Sequence, residues 1–281
     1  MKNTINYKIP ENFYGKLINR NIGLVSQKEQ EKIRNSLITI FGLGGLGGPV
    51  SEQLVRSGCE KLILCDNDFF EITDLNRQIC TIDDIGKRKI EVTEQFLKKI
   101  NPNINIETFF TINKNNISKM LNDSDIVLLT LDDPITSILI AREARNRNIP
   151  LLESWGIPFL WAWWFTNRSV DYETCYGFPT KNSEIDEIFS SENISKVIYN
   201  RIFDKLLTFP KMKERYNREE NALNKVIAGT SPLISMAPIV RMTSSFLAFE
   251  TIFSGILEIK KKTLAPKIIG FDYFEMIPIN L

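Results

Sequence analysis

From residue 37 onward, runs of consecutive apolar residues alternate with longer segments in which apolar positions recur every three or four. Leu37-Ile38-Thr39-Ile40-Phe41, apolar and β-branched, reads as a strand. Ahead of it, Ser26-Gln27-Lys28-Glu29 carries a capping box and predicts a helix over Gln27–Asn35. The strand breaks at Gly42-Leu43-Gly44-Gly45-Leu46-Gly47, after which residues 49–57 read as a helix opened by Pro49. Lys61–Cys65 is a second short strand ending at Asp66. Helices are then predicted over 87–100, 115–121 and 135–147, and strands over 104–109, 126–130 and 151–153. Strands separated by helices predict an α/β fold with a doubly wound, mostly parallel Rossmann-like sheet covered on both faces.

The pattern changes at Trp161-Ala162-Trp163-Trp164-Phe165, an aromatic strand whose rings suit a core or a substrate platform equally. Residues 182–224 are polar, helical and charged; a structureless loop of that length would be unusual, so 167–229 is expected to be a helical crossover facing substrate. Residues 235–259 look like a buried helix and 267–274 a last strand. The expected organisation is an N-terminal helical arm (1–35), a Rossmann-like part (36–166), the insertion (167–229) and a C-terminal helix and strand (230–281) that complete the domain.

Composition narrows the chemistry. Thirty-five basic and 34 acidic residues leave a formal charge of +1, which gives no global field for nucleic acid or an anionic membrane. Residues 1–7 lack the apolar stretch of a secretory signal, and 156–165 is too short to span a bilayer, so a cytoplasmic protein is expected. Cys59, Cys65, Cys80 and Cys175 form no C-x-x-C pair and histidine is absent, which excludes imidazole-based nucleophile systems and leaves no zinc site to expect.

Gly42, Gly44 and Gly47, after a strand and before a helix, fit a turn whose backbone approaches phosphate at a helix N-terminus, and Asp66 ends the next strand, where a carboxylate meets ribose hydroxyls. Taken alone this is also the fingerprint of an NAD-dependent oxidoreductase. The following residues separate the readings. Asp66-Asn67-Asp68, then Leu75-Asn76-Arg77-Gln78, Gly86-Lys87-Arg88-Lys89 and Ile100-Asn101-Pro102 place amides and cations beside the phosphate turn, which hydride transfer does not need.

In the order and spacing of these motifs the chain resembles the ThiF/MoeB/HesA family, bacterial relatives of ubiquitin-activating enzymes. The resemblance extends to the arm around Arg20-Asn21-Ile22-Gly23-Leu24, to Leu129-Thr130-Leu131-Asp132-Asp133 and to the C-terminal segment, leaving out about 167–229. It implies an ATP- and Mg²⁺-dependent adenylyltransferase acting as a homodimer. The substrate would be the C-terminal carboxylate of a ubiquitin-like carrier protein or of a biosynthetic peptide. By the same resemblance Gly42, Gly44, Gly45 and Gly47 line ATP, Asp66 binds its ribose, Asp68 belongs to the nucleotide-binding set, and Asn76, Arg77, Gln78 and Lys89 surround the triphosphate. Asp132 would hold Mg²⁺, and Arg20 would reach the partner's ATP in trans.

Adenylation agrees with the composition. A carboxylate is ionised near neutral pH and needs no general base, so the absence of histidine is no obstacle. What the reaction needs is cations at the phosphates, each such contact typically worth about 2.7–4 kcal/mol of barrier. Simpler roles stand beside these: Asp132 could cap the helix near Pro134, and Lys87 and Arg88 read as solvated charges. Asp74 and Asp133 stand where the family generally has asparagine, and Ser137 where it has arginine. Cys175 is the one cysteine in the region where relatives carry a thioester-forming thiol, yet Asp171 and Glu173 flank it with negative charge. A catalytically silent scaffold with this fold remains an alternative.

Overall fold

A computed structural model describes residues 8–216 and 218–279. Residues 1–7, with the expected absence of a signal, lie outside the described residues, as do Asn217 of the insertion and residues 280–281. One sheet holds eight strands: β1 (Leu37–Phe41), β2 (Lys61–Cys65), β3 (Asn105–Phe109), β4 (Ile126–Leu129), β5 (Leu151–Ser154), β6 (Phe159–Phe165), β7 (Ile269–Asp272) and β8 (Ile277–Ile279). Their spatial order is β3-β2-β1-β4-β5-β6-β7-β8. β1 to β5 pair in parallel, and β6, β7 and β8 extend one edge antiparallel.

Because successive side chains leave a strand on opposite faces, an unbroken apolar run fills two cores at once. In β6, Phe159, Trp161, Trp163 and Phe165 enter one core while Leu160, Ala162 and Trp164 enter the other. Trp161 and Trp163 are 1% exposed, so the aromatic strand is interior and supplies no acceptor surface. The second core lies under helices Gly47–Arg56, Lys89–Ile100 and Ala237–Phe249; the first lies under Pro134–Asn146 and the insertion.

The insertion is helical, as expected: Tyr172–Tyr176, Ile185–Ser190, Glu192–Leu206, Met212–Tyr216 and Ala222–Ile227. It is pinned twice. Arg142 grips Glu173 through two bonds of 2.8 Å and donates to the carbonyls of Thr180 (2.7 Å) and Ser183 (2.9 Å). Arg215 pairs with Asp272 of β7 at 2.8 Å. Removing one member of such a pair strands the other's charge among buried groups.

Boundaries moved where backbone bonding outweighs the residue pattern. The helix expected over 49–57 begins at Gly47, since Gly48 N–H already bonds the Gly44 carbonyl. The segment 235–259 is regular over Ala237–Phe249 and then widens to π-type turns over Glu250–Ile256, where buried Glu250 accepts from Trp164 Nε1 at 3.0 Å. The strand expected over 267–274 shortens to β7, and β8, not expected, pairs with it as a hairpin; β8 is three residues long with Pro278 at its centre, too short for a period-2 signal.

Candidate active site

β1 is hydrogen-bonded to β2 on one side and to β4 on the other, so the chain leaves the sheet in opposite directions from the carboxyl ends of β1 and β4. Such a switch point opens a crevice outside the sheet. A cleft of about 650 Å³ lies there, and of the expected residues Gly42, Gly44, Gly45, Asp66, Asp68, Arg77, Gln78, Lys89 and Asp132 line it.

The glycine turn is built by close approach. Gly42 has φ +89°, and a Cβ there would stand 2.7 Å from the Thr130 carbonyl oxygen. At Gly47 a Cβ would fall 1.7 Å from the Gly42 carbonyl oxygen, so only glycine closes the turn into the helix. Gly44 differs: the nearest atom to an added Cβ is Gln78 Nε2 at 3.8 Å. Its missing side chain leaves the cleft floor open and is not demanded by the protein's own packing. Asp66, 3% exposed, locks the turn by accepting from the backbone N–H groups of Leu43 (2.6 Å) and Asp68 (2.8 Å). Burial pushes its pKa up against those two bonds. A carboxylate has about four acceptor sites, so capacity for a ligand hydroxyl remains.

Lys89 opens its helix at the cleft wall and bonds Asp68 at 3.0 Å. Burial alone would lower its pKa, but the charges of Asp66 and Asp68 outweigh it and the net shift is upward, so it stays an ammonium. Arg77 donates to the Thr73 carbonyl (3.0 Å), to Asn76 Oδ1 (2.8 Å) and to Asp74 (3.4 Å), while Asn76 Nδ2 bonds the Ser235 carbonyl at 2.9 Å. Asn76 therefore orients Arg77 from outside the lining. Asp74, the carboxylate in an asparagine position, is 6% exposed and paired with Arg77, Gln78 and the Glu71 N–H, which removes the objection of a bare charge near phosphates.

At the end of β4 two adjacent aspartates separate in role. Asp133 is the N-cap of helix Pro134–Asn146, accepting from Ile135 N–H at 3.0 Å and Thr136 N–H at 3.3 Å. Asp132 does not cap. Its backbone carbonyl accepts from Tyr199 Oη at 3.2 Å, and its exposed carboxylate has no partner among the described residues. Among the described residues no group of three or more Cys, Asp or Glu side chains is gathered to hold a metal by itself. A single carboxylate with phosphate oxygens is nonetheless the ordinary donor set for Mg²⁺. Asp66, Asp68, Glu71, Asp74, Asp132 and Asp133 line the cleft against two cations, Arg77 and Lys89, so an anionic ligand would meet an excess of negative charge there.

Residues not singled out from the pattern complete the lining, among them Trp155 and Gly156 just past β5 and Ser235 before helix Ala237–Phe249. Trp155 was findable as the residue after a parallel strand's carboxyl end; Ser235, distant in sequence, was not. Two buried polar atoms in this lining, Gln78 Oε1 and Ser235 Oγ, have no hydrogen-bond partner among the described residues. Trp155 Nε1 donates to Tyr176 Oη (2.8 Å), which with Tyr172 Oη donates to Glu153 (2.9 and 2.8 Å). Burial pushes Glu153 up to about 7.

Two expected residues stand apart. Arg20 is exposed and does not line the cleft; its neighbour Asn21 bonds the Ser57 carbonyl at 3.2 Å, past the far end of helix Gly47–Arg56 and thus about 15 Å from the glycine turn. Cys175 sits in the first core at 7% exposure, its thiol pushed up to about 12 by burial, which disfavours the thiolate.

The fold and cleft define an α/β protein of the doubly wound class with a crevice at its switch point. The ThiF family profile matches residues 18–280, and the chain belongs to that family. It is 36% identical over 117 residues to the adenylyltransferase and sulfurtransferase UBA4 of Scheffersomyces stipitis, covering 41% of this chain and 26% of that protein. It is 30% identical over 130 residues to the SAMP-activating enzyme E1 of Haloferax volcanii, covering 46% and 48%. The chain thus spans from about a quarter to a half of the length of these curated relatives. Among solved structures, PaaA superposes with a TM-score of 0.67 at 19% identity, over 100% of this chain and 77% of that one. E. coli MccB with ATP superposes at 0.63 and 23% identity, over 90% and 65%. These superpositions carry the fold.

Proposed function

We propose that the chain is an ATP- and Mg²⁺-dependent adenylyltransferase that activates the C-terminal carboxylate of a ubiquitin-like carrier protein or a peptide and releases pyrophosphate. It would work as a cytoplasmic homodimer. The supporting observation is one juxtaposition: Arg77, Lys89 and the unengaged Asp132 carboxylate all line the cleft over the glycine turn. The named activities of UBA4 and the SAMP-activating enzyme point the same way.

In this reading the open floor at Gly44 receives the phosphates, and Gln78 Oε1 and Ser235 Oγ gain partners from the nucleotide's hydroxyl or amino groups. A substrate carboxylate oxygen bonds the α-phosphorus while the bond to the β-phosphate oxygen breaks, its electron pair leaving with pyrophosphate. Arg77 and Lys89 offset the repulsion between the two anions and the charge growing on the leaving group. Asp132 would hold Mg²⁺, which when bound neutralises phosphate charge. Arg20, too far to serve its own cleft, would serve the partner's, adding the cation that the carboxylate-rich lining lacks.

ATP–pyrophosphate exchange with carrier proteins and peptides tests this. Asp132→Ala should lose about a hundredfold or more, and Cys175→Ala should retain exchange, adenylation needing no thiol. Mixing Arg20→Ala with Asp132→Ala protein should restore activity, because one site of each mixed dimer is complete. Full exchange by Asp132→Ala would overturn the assignment.

A further inference from the structure

A second cavity, of about 690 Å³, opens between the insertion and the cleft, and its walls are mainly apolar, with Phe203, Leu206 and Val226 beside Tyr199. It is continuous with the nucleotide cleft: Asp132, Trp155, Pro232 and Leu233 line both. We propose that this groove binds the last residues of a peptide substrate and selects a bulky apolar side chain next to the reacting carboxylate. The inference rests on the adenylation reading and narrows its substrate class.

The nucleophile must arrive beside Asp132 on a chain that enters from outside the space filled by nucleotide. The groove leads there. It is lined by one carboxylate, Asp132, and one cation, Lys196, whereas the nucleotide cleft is lined by six carboxylates. An anionic chain end therefore meets least repulsion on the groove side. Its wall is also fixed to the reacting end, since Tyr199 of helix Glu192–Leu206 donates to the Asp132 carbonyl at 3.2 Å. Trp155, at the junction, is held by Tyr176 and through it by Glu153. A tail of glycines would leave this volume and its apolar wall filled with water, while one leucine or phenylalanine side chain buried there strengthens binding about ten- to a hundredfold.

Pyrophosphate exchange with the whole protein, using short peptides whose last two residues are aliphatic or aromatic, glycine, or acidic, together with their C-terminal amides, reads the selection directly. Apolar-ended acids should give a KM ten- to a hundredfold below glycine-ended ones, and amides should give no exchange. Phe203→Asn should erase that preference with ATP affinity by calorimetry unchanged. As a check independent of folding in the variant, a benzophenone-bearing residue beside the carboxylate should crosslink to wild-type protein at Asp132, at Trp155 or within residues 196–233. Equal exchange by glycine- and apolar-ended acids, or crosslinks elsewhere, would overturn the groove and leave adenylation standing. No ATP binding and no exchange with any acid would overturn both.

Discussion

The two ends of the cleft are held by different forces. At the nucleotide end, Asp66, Asp74, Arg77 and Lys89 are tied to backbone or to one another and the turn closes by backbone contact at Gly42 and Gly47. At the insertion end, apolar side chains from short helices fill one face of β6, and a few ion pairs, Arg142–Glu173 and Arg215–Asp272, tie those helices to the sheet. The first end is steric and local, tolerating almost no substitution in shape. The second can accept different apolar side chains at similar volume, which suits a surface that chooses among substrates.

The largest break in that comparison is Gly47→Ala. With its Cβ 1.7 Å from the Gly42 carbonyl oxygen, the variant should not give a soluble, cooperatively melting protein. A melting temperature within about 4 °C of wild type would contradict a sterically closed turn. Next, Arg142→Ala strands Glu173 and should cost about 3 kcal/mol by urea denaturation. Hydrogen exchange should rise first over 172–206, with β1 and β2 protected; uniform loosening would erase the distinction between the two ends.

The Glu153 carboxyl gives a pH signature to the insertion end. Its pKa is about 7 folded against an ordinary 4.5, so the unfolded chain releases this proton first as pH rises. The contribution to stability is full below pH 4.5 and is lost as pH climbs to about 7, by roughly 3 kcal/mol at most. Glu153→Gln should flatten the melting temperature across that window, and an unchanged slope would remove the carboxyl from the account. The mildest change is Gly44→Ala: folding stability should stay within about 0.5 kcal/mol, while ATP affinity falls about tenfold because the new methyl occupies the cleft floor.

Much of the glycine-turn end was legible before any coordinates. Gly42, Gly44, Gly45, Asp66, Arg77, Gln78, Lys89 and Asp132 come from short segments that follow strands β1, β2 and β4, and all of them line one cleft. Local order sufficed because a parallel sheet delivers the carboxyl ends of its strands to one edge. The roles were less legible. Asp132 could have capped the helix near Pro134, and a one-residue difference in backbone position gives that cap to Asp133 instead. The aromatic strand left core and platform open; only the helices packed on each side of the sheet, the insertion on one and Ala237–Phe249 on the other, bury both of its faces.

By itself, then, the amino-acid order determined the alternation of elements, the phosphate turn and the set of charged groups around it, because those depend on neighbours within a few residues. Tertiary structure decided which of those charges are already neutralised, that Arg20 does not line its own cleft, and that an apolar groove shares walls with the cleft. Each of these depends on distances between segments far apart in the chain, such as Asn76 to Ser235 or Tyr199 to Asp132, and no local pattern encodes such a distance.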